Sequence, residues 1–290
     1  MALAPTTDIW EGITESAVTA NGVRLNVATA GVGSPILFVH GFPHTWQIWM
    51  PVMSTLSARH HVIAPDLRGL GRSERAECGY DAQSVAADLR AVLDAADIDT
   101  AMVVAIDAGV PPAFTLAMEH PGRVSHLILS EALVGTLPGA EDFLANGPPW
   151  WFAFHAIPGF AERVLAGHER EYIDFFLRAG VTSADAFDER TRSAILDSYA
   201  DENSLRCGFE YYRSMPQTNR QIARLTENAR LTVPVTTVGG SVVGDATRRQ
   251  LEPIANELHA ELLPSSGHIV PLERPDELVE IIRHAAGDEF

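Results

Sequence analysis

The chain has 290 residues, 46% of them hydrophobic, which is enough to bury the core of one large domain or of one domain that carries an insertion. Its 38 acidic and 21 basic residues give a formal net charge of −17. An acidic surface repels phosphate backbones and anionic lipids, so we expect neither a nucleic-acid partner nor a membrane partner.

The two cysteines, Cys78 and Cys207, are too few for a disulfide framework or a zinc cage. The N-terminal sequence MALAPTTDIWEG has neither the basic nor the apolar region of a signal peptide. No run approaches the roughly 20 apolar residues that a membrane helix needs. We therefore expect a cytoplasmic protein, either a monomer or a homodimer.

Short apolar runs alternate with helical patterns along the first part of the chain. The runs predict strands at residues 23–28, 36–39, 61–64, 101–106 and 124–129. Apolar residues at helical spacing predict helices at residues 81–94 and 112–119. Strands that alternate with helices indicate an α/β fold, with a mostly parallel central sheet flanked by helices.

The pattern changes between residues 134 and 228, where the sequence is helical and holds more than half of the chain's aromatic residues. The α/β pattern then returns, with strands predicted at residues 233–238 and 260–263 and a final helix at 276–284. We therefore predict a core formed by residues 1–133 and 229–290, interrupted by an inserted helical lid at residues 134–228.

Asp107 ends a predicted buried strand, in the sequence Ala105-Ile106-Asp107-Ala108-Gly109. A sharp turn from strand to helix needs small residues two positions before and two positions after its apex. The apex side chain then stands above the carboxyl end of the sheet, where the N-terminus of the next helix stabilises negative charge. Taken alone, Asp107 could equally be a helix N-cap. Its surroundings favour a nucleophile.

The sequence His40-Gly41-Phe42-Pro43 follows a predicted strand and precedes Asp107 in the chain. A glycine turn at this place can direct the backbone N–H of Phe42 toward the apex of the strand-to-helix turn. Together with the N–H of Ala108, it would form an oxyanion hole with two donors.

His268 lies in a loop after the last predicted strand, which is where an α/β sheet with this kind of turn places its base. Such a histidine needs an acid to fix its tautomer and to stabilise its charge. Glu131, at a strand end, and Asp245, in a glycine-rich loop, are both candidates. We favour Glu131, because a carboxylate directly at a strand end is poorly solvated.

The sequence PDLRGLGRS at residues 65–73 has two glycines after a predicted strand, as a dinucleotide-binding turn does. Glu74 stands where the third glycine of such a turn would be, so we predict a structural loop. The histidines lack metal-ligand spacing. We expect neither an organic cofactor nor a metal.

Together these motifs resemble the α/β-hydrolase superfamily, and within it the epoxide hydrolase and dehalogenase branch. The resemblance extends from about residue 23 to about residue 284 and rests on HGFP at 40, PDLRGLGRS at 65, AIDAG at 105, SEA at 130, SGHIVP at 266 and the aromatic insertion. It implies that Asp107, which replaces the serine of esterases, attacks an sp³ carbon and forms an alkyl ester. Water deprotonated by His268 then cleaves the ester, and Glu131 stabilises the imidazolium.

The resemblance also implies that the lid supplies donors to the leaving oxygen or halide. Tyr212 matches the lid tyrosine of relatives, and Trp151 matches a position that holds tyrosine, histidine or tryptophan in them. An indole N–H can only donate, so it suits an alkoxide or a halide. The residues expected to contact substrate around these donors are His40, Phe42, Trp150, Phe152 and Tyr211.

The sequence departs from the family pattern at several positions. Ile106 replaces a histidine, Ala108 replaces the tryptophan of many relatives, and Phe42 replaces the halide-binding asparagine of haloalkane dehalogenases. Ala108 and Pro111 stand where dehalogenases that act on haloacids carry arginines. These changes argue against both dehalogenase groups.

We therefore expect an epoxide hydrolase that opens a neutral, bulky and aromatic epoxide to a vicinal diol. Its partners would be that small hydrophobic substrate and water. The alternatives are a dehalogenase that uses the same three residues and a non-catalytic ligand-binding protein of this fold.

Overall fold

A mostly parallel β-sheet forms the centre of the computed structural model, which describes residue 10 and residues 12–200 and 202–288. The strands in this part of the chain are β1 (Thr14–Ala20), β2 (Val23–Ala30), β3 (Ser34–Val39), β4 (His60–Pro65), β5 (Ala101–Ile106), β6 (Val124–Ser130), β7 (Val235–Gly239) and β8 (Leu258–Leu262). Their order across the sheet is β1-β2-β4-β3-β5-β6-β7-β8. β2 is antiparallel to β1 and β4, and the other neighbours are parallel.

The central strands of this sheet are buried on both faces. All six residues of β5, with the sequence AMVVAI, are buried. Continuous apolar runs of this kind are typical of parallel strands covered by helices on both sides. β8, at the sheet edge, has mostly exposed side chains. The loops that follow β5 and β6 therefore start from the buried centre of the sheet.

Helices connect the strands and cover the sheet. They are α1 (Met50–Leu56), α2 (Ala82–Ala95), α3 (Val110–Glu119), α4 (Trp150–Ala156), α5 (Phe160–Leu165), α6 (Glu169–Ala179), α7 (Glu189–Asp197), α8 (Glu202–Thr226), α9 (Ala246–Leu251), α10 (Val270–Glu273) and α11 (Pro275–Ala286). Asp81 directly precedes α2 and is its N-cap, since its carboxylate accepts the N–H of Ser84. α2 packs against α3, and α1 packs against α11.

Helices α4 to α8 all lie between β6 and β7 in the chain, within the segment 134–228 that we name the lid. The longest of them, α8, is held to the start of α2 by hydrogen bonds. The N–H of Ala82 donates to the hydroxyl of Thr218, and the amide of Gln221 donates to the carboxylate of Asp81. The exact bounds of the lid stay a prediction.

The predicted α/β architecture is confirmed, and every strand and helix predicted for the core overlaps one in the structure. β1 is the strand that the sequence does not predict. Its residues, TESAVTA, are partly exposed in an irregular pattern at the edge of the sheet, so they lack the apolar alternation of a half-buried strand. None of the described helices is both long and apolar enough to cross a membrane.

Candidate active site

Asp107 lies at the sharp turn between β5 and α3, with a φ of +53°. A residue other than glycine rarely adopts this left-handed conformation, and such strain is concentrated at functional sites. The turn also forces close backbone contacts: a Cβ on Gly109 would meet the carbonyl oxygen of His40 at 2.4 Å. The pattern of small residues around Asp107 therefore has the steric reason that the sequence predicts.

The carboxylate of Asp107 is held by backbone donors. The N–H of Phe42 donates to Asp107 Oδ1 over 2.8 Å. The backbone N–H of Ala108 also hydrogen-bonds to this carboxylate and contributes to lowering its pKa. A Cβ on Gly41 would lie 2.3 Å from Asp107 Oδ1, so only glycine allows this loop to approach so closely. The structure thus brings both predicted oxyanion-hole donors to Asp107.

His268 lies between two carboxylates. Its Nε2 is 3.3 Å from Asp107 Oδ2, and its Nδ1 is 3.5 Å from Glu131 Oε2. The side chain of Glu131 is fully buried, while those of Asp107 and His268 remain partly accessible. The three residues follow β5, β6 and β8, so parallel strands bring distant parts of the sequence to one edge of the sheet.

The loop after β7 holds Glu131 in place. Its carboxylate accepts the backbone N–H groups of Gly240 at 2.6 Å, Val243 at 3.1 Å and Gly244 at 3.3 Å. Glu131 itself has a φ of +48°, the same rare conformation as Asp107. These donors stabilise a buried negative charge and direct one oxygen toward His268.

Asp245, the other acid that the sequence allows, is engaged elsewhere. Its two carboxylate oxygens accept hydrogen bonds from Arg248 at 2.6 and 2.8 Å, and its side chain is one third exposed. This pairing holds the pKa of Asp245 below its usual range. Of the two candidates, the structure brings Glu131 and not Asp245 to His268.

The two carboxylates change the acidity of His268. Burial disfavours its charged form, but the interactions with Asp107 and Glu131 outweigh burial and raise the pKa of His268 to about 10. The effect is reciprocal for Asp107: burial disfavours the carboxylate, but His268 and the backbone donors keep its pKa below the usual range. Asp107 is therefore ionised at neutral pH, the state in which a carboxylate is able to act as a nucleophile.

Aromatic residues of the lid cover the Asp107 carboxylate. Burial raises the pKa of Tyr212 well above its usual range, the charge of Asp107 adds to this rise, and a hydrogen bond with Trp151 opposes it. The Tyr212 hydroxyl therefore stays protonated and able to donate. The ring of Phe152 packs 5.4 Å from the Tyr212 ring, and that of Phe42 packs 5.6 Å from it. Tyr212 and Trp151, the two predicted donors, thus lie close together above Asp107.

Three of the residues expected to contact substrate have other contacts in the structure. His40 is completely buried, and its Nε2 accepts the N–H of Leu67 beneath the oxyanion loop. The hydroxyl of Tyr211 donates to the carbonyl of Arg68, because neighbouring residues on a helix point in different directions. Trp150 is 55% exposed and packs on lid aromatics.

The sequence does not identify three side chains near the site. His155 stacks on Phe209 with 4.1 Å between ring centroids, and it lies 4.5 Å from Tyr212. Phe176 packs against Trp151 at 5.5 Å. The ring of His44 lies 5.9 Å from that of His268, and burial lowers the pKa of His44 to about 3.

A signal for two of these residues is present in the sequence. His155 is one helical turn after Trp151, and therefore on the same face of α4. His44 directly follows the HGFP motif. Within the described residues, no cluster of three or more His, Cys, Asp or Glu side chains could hold a metal ion.

Residues 34–236 match the family model for the α/β-hydrolase fold, and the chain belongs to that family. The sequence is 27% identical over 278 residues to the soluble epoxide hydrolase of Corynebacterium sp. (strain C12), an alignment that covers 92% of this chain and 95% of that protein. These findings confirm the predicted family and its epoxide hydrolase branch, and they identify the chain as a hydrolase.

Two solved structures are similar over nearly their whole length. Wild-type Cfl2 from Burkholderia cenocepacia has a TM-score of 0.89 at 31% identity, over 97% of this chain and 98% of that chain. The epoxide hydrolase CorEH without ligand has a TM-score of 0.86 at 27% identity, over 95% of this chain and 99% of that chain. The relatives therefore support epoxide hydrolase activity at a general level.

Proposed function

We propose that the protein opens a neutral, hydrophobic epoxide to a vicinal diol through a covalent ester on Asp107. The observation that carries this proposal is an ionised aspartate at the strained apex of the turn, held by Phe42 and facing Tyr212. A carboxylate can displace an oxygen from a strained ring carbon, whereas the serine of an esterase attacks a carbonyl.

In the first step, Asp107 Oδ2 forms a bond to one epoxide carbon, and the bond between that carbon and the ring oxygen breaks. Oδ1 stays with the N–H of Phe42, 2.8 Å away. The ring oxygen gains negative charge and accepts hydrogen bonds from Trp151 and Tyr212. The Tyr212 proton moves to this oxygen, which becomes the first hydroxyl of the product. Preorganised donors at a developing oxyanion commonly provide the largest single contribution to catalysis.

In the second step, water attacks the carbonyl carbon of the ester, and His268 Nε2 takes one of its protons. The negative charge that forms on Oδ1 is stabilised by the N–H groups of Phe42 and Ala108. The ester bond then breaks, and the departing diol oxygen takes the proton from His268. The remaining water proton leaves the carboxyl group and restores Tyr212, so Asp107 is ionised again.

The two carboxylates give His268 a different acidity in each step. In the free enzyme, Asp107 and Glu131 together raise its pKa to about 10. Ester formation removes the charge of Asp107 and leaves Glu131 alone beside the ring. The pKa of His268 must then fall, because one of the two groups that stabilise the imidazolium has become neutral. The imidazolium then releases its proton to solvent and His268 becomes the base that ester hydrolysis needs. It takes a proton back from solvent when Asp107 is ionised again.

The surroundings of Asp107 support a hydrophobic substrate. Phe42 contacts a ring of lid aromatics, with centroid distances of 5.5 to 6.3 Å, formed by His155, Phe176, Tyr199, Phe209 and Tyr212. Aromatic edges and faces favour apolar and aromatic groups. Burial keeps His44 and His155 neutral, since it lowers the pKa of each to about 3. We therefore infer an uncharged substrate with a bulky aromatic or apolar substituent.

The intact mass of a His268→Gln variant tests this proposal after incubation with aryl epoxides and, separately, alkyl halides. Without the base, the ester should persist, and the protein should gain the whole mass of one epoxide. Asp107→Asn is the matched control and should gain nothing. A gain equal to an alkyl halide minus its hydrogen halide, with no epoxide adduct, would instead identify a dehalogenase. Protein that remains unmodified by both classes would contradict the covalent mechanism.

A further inference from the structure

Glu273 connects the loop of His268 to the lid. One of its carboxylate oxygens accepts the backbone N–H of Gly267, the residue before His268. The other accepts both the backbone N–H of Thr182, over 2.6 Å, and the Thr182 hydroxyl. Thr182 lies in the lid, three residues after the end of α6, whereas Glu273 ends the short core helix α10. A single carboxylate therefore joins the two parts of the molecule.

The lid also holds the backbone of His268 directly. The carbonyl oxygen of Gly180 accepts the N–H of His268 over 2.7 Å and the N–H of Ile269 over 3.0 Å. Gly180 is the C-cap of α6. The backbone position of the histidine is thus fixed by a lid residue and not by its own loop alone.

The two loops approach each other more closely than ordinary side chains permit. A Cβ on Gly267 would lie 2.7 Å from the carbonyl oxygen of Gly180 and 3.0 Å from the Cα of Val181. A Cβ on Gly180 would lie 3.1 Å from the side chain of Ile269. A side chain at position 267 would therefore collide with the lid backbone, whereas one at position 180 would only crowd the side chain of Ile269. The loop of His268 and the lid segment 180–182 are therefore closely packed at this junction.

The same lid helix reaches the aromatic chamber, a name we give to the rings of Phe42, His155, Phe176 and Tyr212 beside Asp107. Phe176, in the last turn of α6, packs against Phe42 at 6.3 Å and against Trp151 at 5.5 Å. Its backbone carbonyl accepts the N–H of Gly180. Any displacement of α6 that opens the aromatic chamber must therefore also move the carbonyl that holds His268.

We propose that Glu273, Thr182 and Gly180 form a clamp through which the closed lid positions His268 for ester hydrolysis. Glu273 acts here as a positioning residue, since it touches neither the reacting atoms nor the substrate. The clamp would restrict hydrolysis to the closed state, when bulk water and product exchange are limited. Its effect on ester hydrolysis rests on the proposed function, whereas the mechanical coupling between the lid and the His268 loop does not.

Hydrogen–deuterium exchange tests the mechanical coupling without any substrate. Glu273→Gln, a change in the core, should accelerate amide exchange in the lid segment 180–182. Thr182→Val, a change in the lid, should accelerate exchange at residues 267–269. Glu280→Gln is the matched control, an exposed glutamate on α11, and should change neither segment. If each variant accelerates amide exchange only in the segment that contains the changed residue, the two loops are independent and the clamp is excluded.

Single-turnover kinetics tests the consequence for the reaction. In Glu273→Gln, ester hydrolysis should slow roughly tenfold, as expected for a small displacement of a reacting group, while ester formation changes less than about twofold. The ester should accumulate in the steady state. The apparent pKa in the pH dependence of the hydrolysis rate should shift. Thr182→Ser should keep the normal rate and Thr182→Val should not. Equal slowing of both steps, or a lower melting temperature with unchanged rates, would show a structural role only.

These results are separable from the test of the proposed function. Ester formation on Asp107 in the His268→Gln variant addresses that function, whatever happens at Glu273. An ester that forms and is hydrolysed at the normal rate in Glu273→Gln refutes the clamp alone. Altered exchange across the junction supports the clamp even for a substrate that is not an epoxide.

Discussion

Core loops hold two carboxylates at the end of the sheet, whereas the lid faces them with aromatic rings. Asp107 and Glu131 both have left-handed backbone conformations, and backbone N–H groups hold their oxygens. Tyr212 and Trp151 are instead held by the packing of rings against rings. The core therefore supplies charge at fixed positions, and the lid supplies neutral donors in an apolar setting.

Removal of the core nucleophile should have the largest effect. Asp107→Asn should lower turnover of an aryl epoxide by on the order of 10⁵-fold or more, because an amide is not a competent nucleophile. Asparagine tolerates positive φ, so the fold should persist. Turnover and a thermal melt of the same sample check both parts. Activity within tenfold of the wild type would mean that Asp107 is not the attacking group.

Loss of the second core carboxylate should affect mainly ester hydrolysis. Glu131→Gln should slow this step by on the order of 10³-fold, because the amide cannot stabilise the His268 imidazolium. Asp245→Asn, which changes the acid paired with Arg248, should stay within about twofold of the wild type. Single-turnover decay of the ester measures both. Slow decay of the ester in Asp245→Asn together with normal decay in Glu131→Gln would instead assign the role of the acid to Asp245.

Changes in the lid should affect the other step. Tyr212→Phe should slow ester formation roughly 10²-fold, and Trp151→Phe roughly tenfold, since each removes a donor to the departing oxygen. Ester hydrolysis should change little in both variants. Tyr211→Phe is a control on the same helix, because its hydroxyl bonds Arg68 and not the chamber. Slower hydrolysis with normal ester formation would overturn the division between core and lid.

A further effect concerns stability. In the folded protein the pKa of His268 is raised from 6.5 to about 10. The stabilisation that comes from its charged form is therefore complete below about pH 6.5 and is lost as the pH rises toward 10. Urea unfolding of the wild type should show a free energy of unfolding that declines over this range. His268→Gln should lack this part of the decline, and identical slopes in the two proteins would contradict the shift.

Local sequence predicts the turn at Asp107 better than it predicts which acid lies beside His268. The sharp turn at Asp107 can be predicted because its steric requirements lie within five consecutive residues. Whether Glu131 or Asp245 reaches His268 depends on the path of the loop after β7, in which Gly240 and Val243 donate to Glu131. No spacing in the sequence encodes that path, so both acids remained possible before the fold was known.

The lid is harder to predict for a different reason. Its helices carry aromatic residues on several faces, so composition does not show which ring points inward. Tyr211 and Tyr212 are adjacent, yet one faces Arg68 and the other faces Asp107. His40 shows the same limit in the core, since a motif identifies a loop but not the direction of each side chain.

The backbone and the side chain of Phe42 have separate roles. Its backbone N–H holds the oxygen of Asp107, while its ring occupies the centre of the aromatic chamber. The N–H is present whichever amino acid stands at this position, apart from proline. Mutation at position 42 can therefore reshape the chamber while the oxyanion donor persists. During evolution, the range of substrates can therefore change through single substitutions at position 42, while the backbone N–H stays in place.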